Sequence, residues 1–159
     1  MLFRSNVLVG TNDHVHLIDF GLARSRASDG VIVDDVGGTI PYIAPEALEG
    51  GRVGPPVDVF ALGCVLYEML TGRALFGAPT RKESASRIRK GERAPASHIP
   101  AAEREALYDV VYAATETDPA RRLRDADLFL ALLEKALRGE RPTPNRREAG
   151  FFARLLGRR

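Results

Sequence analysis

Two side chains with hard oxygen donors, Asn6 and Asp19, stand thirteen residues apart, each against a short apolar run. Val7-Leu8-Val9 follows Asn6, and Val15-His16-Leu17-Ile18 precedes Asp19. An amide oxygen and a carboxylate are donors of the kind a hard divalent cation takes. Taken singly, Asp19 is a solvated turn aspartate and Asn6 a turn residue. Ser25, Ser28 and Thr39 offer hydroxyls along a polar, Gly-rich stretch that also carries Arg24, Asp34 and Asp35. The single thiol, Cys64, excludes an internal disulfide and a cysteine-rich zinc site. It lies inside an apolar run, where it reads as a small buried hydrophobe.

The elements that must position these groups follow from periodicity. The two β-branched runs, separated by Gly10-Thr11-Asn12-Asp13, predict a β-hairpin. Residues 21–39 show no sustained period and predict a long loop, a length that compact domains keep for functional or mobile segments. Pro45-Glu46-Ala47-Leu48-Glu49 predicts a short helix stopped by Gly50-Gly51. Between positions 57 and 70 only Asp58, Gly63 and Glu68 are not apolar. A helix apolar on every face has to be surrounded by protein. Pro55-Pro56 opens it and Thr71-Gly72 closes it. A polar helix over 81–90 comes next. Leu107, Val110, Val111 and Ala114 recur at amphipathic spacing. A last helix has Asp125 as its N-cap, Leu130, Leu133 and Leu137 on one face, and Gly139 as its stop.

Several of these segments, in this order and spacing, resemble the Ser/Thr protein kinase family of the eukaryotic-like, bacterial type. Asp19-Phe20-Gly21 is similar to the metal-binding DFG motif. Asn6 resembles the asparagine that ends the catalytic loop. Gly38-Thr39-Ile40-Pro41-Tyr42-Ile43-Ala44-Pro45-Glu46 resembles the segment closing the activation loop with APE. Asp58-Val59-Phe60-Ala61-Leu62-Gly63 looks like the start of the buried central helix of the large lobe. Asp118-Pro119-Ala120-Arg121-Arg122 looks like the later element whose arginine pairs with the APE glutamate. A lone tripeptide of this kind is weak; five elements in order are strong. The resemblance covers residues 2 to 138.

It implies a mainly α fold, the large C-terminal lobe of a kinase with a small β-hairpin and no N-terminal lobe. Residues 1–138 would be this partial domain and 139–159 a basic tail. It implies Mg2+ and ATP as cofactors, with Asn6 and Asp19 as metal ligands, and Thr39, Ser25 and Ser28 on the activation and substrate-binding loop. Thr39 would contact the catalytic loop and mark Ser/Thr specificity. Glu46 and Arg122 would form an architectural ion pair. Asp58 would hold the catalytic-loop backbone as well as complement its helix dipole. Asp34 and Asp35 lie near where the family carries an activating phosphate; they would either imitate it against Arg24 or be solvated loop acids.

The sequence also departs from the family pattern. The catalytic aspartate position is Met1 and the following lysine position is Phe3. The 159 residues contain no Gly-rich loop, no phosphate-binding strand lysine and no helix glutamate to pair with it. Phosphoryl transfer rests on positioning and electrostatic stabilisation, so losing these parts together removes most of the rate. These residues are expected to be inactive alone, whether as half of a kinase, as a non-catalytic module that binds partners, or as a degenerate remnant.

Apolar residues make up 45% of the chain, enough for a core, and a net charge of +2 argues for no nucleic acid partner. The absence of a signal peptide or long apolar span predicts a cytoplasmic protein. With no helix ahead of the catalytic loop, part of the 57–70 helix is expected to lack cover, inviting self-association or a protein partner. After Gly139, a Pro-containing linker leads to Phe151, Phe152, Leu155 and Leu156 on one helical face among arginines. That tail would contact an anionic membrane or a partner, cover the central helix, or simply fray.

Overall fold

The structure, a computed structural model, describes residues 6–18, 40–51, 53–99 and 104–140. Strands β1 (Val7–Val9) and β2 (Val15–Leu17) pair antiparallel in the register Val7–Leu17, Leu8–His16 and Val9–Val15. The turn between them is a short 3₁₀ segment, Thr11–Asp13, in which Asn12 and Asp13 take φ values of 62° and 59°. Asparagine and aspartate tolerate this left-handed region because their short side chains bond locally. That chemistry is why the hairpin was legible.

Five helices follow: α1 (Pro45–Leu48), α2 (Pro55–Thr71), α3 (Arg81–Lys90), α4 (Arg104–Ala114) and α5 (Ala126–Leu137). Helix α2 starts with proline in its first turn and ends at Gly72, whose φ of 68° and N–H bond to the Glu68 carbonyl (2.7 Å) stop it. Helix α3 is held by a reciprocal cap: the Thr80 hydroxyl accepts from the Glu83 N–H and the Glu83 carboxylate accepts from the Thr80 N–H.

Two cores share α2. On one side Val59 packs with Leu107, Val110, Ala113 and Ala114 of α4 and Phe129, Leu132 and Ala136 of α5. On the other, Phe60, Cys64 and Tyr67 pack with Tyr42, Leu75, Phe76, Ile88 and Ile99. The Phe60 and Phe76 rings stack with centroids 5.5 Å apart. Burial pushes the Cys64 thiol well up, so it stays protonated and inert. Gly63 lets α2 and α4 touch: a Cβ there would stand 2.7 Å from the Thr115 methyl and 2.8 Å from the Ala114 Cβ.

One expectation needs correction. Helix α5 turns Phe129, Leu132 and Ala136 inward, while Leu130 and Leu137 are exposed. Two apolar stripes interleave on this helix, both at helical spacing, and the one carrying the phenyl ring fills the core. Helix α2, apolar on every face and expected to lack part of its cover, is open on one side. Its third face, Asp58, Leu62, Val65 and Met69, is exposed at both ends and half-buried between, with Met69 79% exposed.

A buried ion pair ties the α1 segment to the helical body. Arg122 donates from Nη1 to Glu46 Oε1 (2.7 Å) and from Nη2 to Glu46 Oε2 (2.9 Å). It also donates to the carbonyls of Pro56 (2.9 Å), Glu116 (2.8 Å) and Thr117 (3.3 Å). All five guanidinium N–H donors are therefore used. The side chain is fully buried, over the Phe60 ring at 5.0 Å. Its neighbour Arg121 is 40% exposed and only 4.0 Å from Glu116.

Arg122→Ala should lower stability by about 3–5 kcal/mol, because it strands the Glu46 carboxylate and three carbonyls. Arg121→Ala should cost under about 1 kcal/mol, as exposed pairs do. Urea midpoints of the two variants test this, and equal shifts would refute it. A second outcome concerns the α5 cap, where the Asp125 carboxylate accepts from the Leu128 N–H at 2.9 Å. That bond lowers its pKa below the ordinary 3.8. The cap's contribution is thus complete above pH 3.8 and fades as pH falls through the lower folded value. Asp125→Ala should cost about 1 kcal/mol at neutral pH, and the gap from wild type should close in acid, read by melting curves across pH.

Candidate functional site

The hairpin places Asn6 beside Ile18, the residue before Asp19 in sequence. Asn6 is buried, and its carbonyl accepts a 2.8 Å bond from the Ile18 N–H, one step beyond the Val7–Leu17 pair. A twelve-residue separation in sequence, from Asn6 to Ile18, thus closes to adjacent backbone at the hairpin's open end. Asp19 itself lies outside the described residues, as do Met1, Phe3, Phe20, Gly21, Arg24, Ser25, Ser28, Asp34, Asp35, Thr39 and the tail from 141 onward. Among the described residues no cluster of three or more His, Cys, Asp or Glu side chains is arranged to hold a metal ion.

The segment after Thr39 is tightly held. A 3₁₀ turn, Ile40–Tyr42, leads into Ile43 and Ala44, both fully buried, and then into α1 with Glu46 on Arg122. The Tyr42 hydroxyl bonds the Glu68 carboxylate of α2. Against this turn lies a cleft of about 260 Å3, lined by Ile40 and Pro41 on one side and by Pro79, Thr80, Arg81 and Ser84 of the α3 entry on the other. Asp58 stands exposed in the first turn of α2, where its charge complements the helix dipole.

The structure therefore brings Glu46 and Arg122 together and sets Asn6 beside the strand that leads to Asp19, while the catalytic-loop backbone that Asp58 was expected to hold lies outside the described residues. The Tyr42–Glu68 contact and the cleft beside Ile40 had no sequence signal. Their partners are far apart in the chain, and neither belongs to a periodic pattern. Only the Thr80–Glu83 cap was readable, as a threonine three residues before a glutamate. No helix among the described residues is long and apolar enough to cross a membrane.

Comparison with known proteins agrees with this geometry. The family described as protein kinase domain matches residues 2–138. A serine/threonine-protein kinase of Corynebacterium efficiens is 32% identical over 142 residues, covering 86% of this chain and 26% of that protein. Serine/threonine-protein kinase PknB of Mycolicibacterium smegmatis is 33% identical over 141 residues, covering 87% of this chain and 23% of that protein. A probable serine/threonine-protein kinase of Streptomyces coelicolor is 31% identical, covering 86% and 21%. The chain thus spans about a quarter of the length of these relatives. With a mainly helical body and a β-hairpin among the described residues, and a family match over most of its length, the chain belongs to the Ser/Thr protein kinase family and corresponds to the large lobe of the kinase domain.

Proposed function

We propose that this chain is the part of a Ser/Thr protein kinase that holds the metal of Mg2+–ATP and receives the protein substrate, and that its 159 residues alone do not transfer phosphate. The observation that carries the reading is Asn6, buried at the hairpin's open end with its backbone bonded to Ile18, directly before Asp19. An amide oxygen from Asn6 and a carboxylate from Asp19 would suit Mg2+, which takes hard oxygen ligands and keeps several waters. The metal would neutralise the phosphates of ATP. The chain's own contribution is to hold two of its ligands and to fix the segment 40–48 through the Arg122–Glu46 pair. The cleft beside Ile40 would accept a substrate side chain next to the reacting hydroxyl.

Phosphate transfer also requires a covering Gly-rich loop, a lysine on the phosphates and an aspartate on the substrate hydroxyl. Met1 and Phe3 stand where the family has that aspartate and the lysine after it. Incubating the purified chain with radiolabelled ATP, Mg2+ or Mn2+ and generic Ser/Thr substrates should give no label in protein. Incorporation that disappears in Asp19→Ala would overturn this.

A second reading, a non-catalytic module that acts by binding, is favoured by its uncovered apolar surface. Met69 is 79% exposed, and the hairpin residues Leu8, Val9, Val15, Leu17 and Ile18 are 41–67% exposed. Wet apolar area forfeits about 25 cal/mol per Å2 relative to burial, which favours association with another surface. Under this reading light scattering should show self-association that Met69→Lys with Val65→Lys reduces. A monodisperse monomer that binds no hydrophobic dye would exclude it.

A further inference from the structure

The α2–α3 connection and the segment after α3 are joined by a bond from the Ala94 N–H to the Leu75 carbonyl (2.9 Å). Beside this junction opens a cleft of about 580 Å3, on a different set of residues from the cleft at Ile40. Arg73, Arg87, Arg93 and His98 line it, against a single lining carboxylate, Glu92. Glu92 is itself paired with Lys90 at 3.6 Å. The cleft therefore carries an excess of positive charge although the whole chain is nearly neutral.

Its donors are held in different ways. Arg93 is fixed: Nε and Nη2 donate to the hydroxyl (2.8 Å) and carbonyl (2.7 Å) of buried Thr115, and Nη1 donates to the Gly91 carbonyl (3.2 Å). The guanidinium also lies 4.1 Å from the centre of the Tyr112 ring. Two of its five N–H groups are left over. Arg87 uses one donor on the Gly77 carbonyl. The Arg73 guanidinium has no hydrogen-bond or salt-bridge partner among the described residues. The Tyr67 hydroxyl has one proton, which it donates to the Pro95 carbonyl (3.1 Å), so it accepts from His98 Nδ1–H at 2.9 Å. Burial raises the Tyr67 pKa, so the phenol keeps that proton. In that tautomer His98 Nε2 is an acceptor, so the donors the cleft offers an anion are those of its arginines.

We propose that this cleft is a binding site for a phosphorylated side chain of a protein segment. Guanidinium groups match phosphate oxygens with paired donors in a way that point charges do not. A phosphorylated side chain brings a charge of about −1.5 to −2, which several converging cations satisfy better than a lone carboxylate does. The cleft is also far larger than a bare ion and open enough to admit a side chain with its backbone. Arg93, immobilised beforehand, gives a donor at little entropic cost, and Arg73 supplies charge that no internal partner claims. The site does not depend on phosphate transfer by this chain, because binding alone is measured.

The test is fluorescence anisotropy of the full chain with a labelled phosphoserine peptide and its unphosphorylated counterpart at physiological salt. The phosphopeptide should bind at least about tenfold tighter, and Arg73→Gln should remove most of that preference, the loss expected for a charge-assisted hydrogen bond. Because Arg73 holds nothing internally, the variant should unfold at the wild-type urea midpoint. Equal affinity for the two peptides would overturn the proposal. So would a preference untouched by Arg73→Gln, which would assign it to the basic residues from 146 to 159. Anionic vesicles bound more tightly than the phosphopeptide, with Arg73 required, would make the cleft a lipid site and likewise overturn it.

Discussion

The buried guanidinium of Arg122 is the constraint on which the rest of the structure depends. A fully buried cation is tolerated only when every donor is used and an opposite charge is in contact. Here both conditions are met by groups from three separate places: Glu46 in α1, the Pro56 carbonyl at the start of α2, and the Glu116 and Thr117 carbonyls after α4. One side chain thereby sets the distance between the segment carrying α1 and the helical body. Because the bonds to Glu46 are bidentate, the orientation of α1 is fixed as well as its position.

Helix α2 is the second organising element, and its composition explains both its strength and its cost. Two of its faces serve two cores, and Gly63 brings α4 close enough for backbone-level packing. The third face, from Asp58 to Met69, has less cover than its apolar content asks for. Together with the exposed hairpin, it gives the chain apolar surface at the end where Asn6 sits and along the central helix.

Much of the architecture was legible. Proline pairs and Thr-Gly fixed the ends of α2, because proline suits a first turn and glycine a left-handed stop. The Gly-Thr-Asn-Asp turn fixed the hairpin. Spacing between motifs pointed to Glu46 and Arg122 as partners, and the choice of Arg122 over Arg121 came from family register, not from periodicity, since both stand in one loop. Which stripe of α5 faces inward was not legible, because 129-132-136 and 130-133-137 are equally helical and only the shape of the receiving core separates them.

The sequence alone determined the order of elements, their limits and the residues that carry the buried charge pair, because these depend on local backbone preference and residue chemistry. The tertiary structure decided which charges meet, which apolar faces stay wet, and that Arg73, Arg87, Arg93 and His98 share one cleft. Those four residues belong to no motif and no single helix. They converge because the segments before and after α3 fold back on each other through the Ala94–Leu75 bond, and long-range chain crossing of that kind leaves no periodic trace in the sequence.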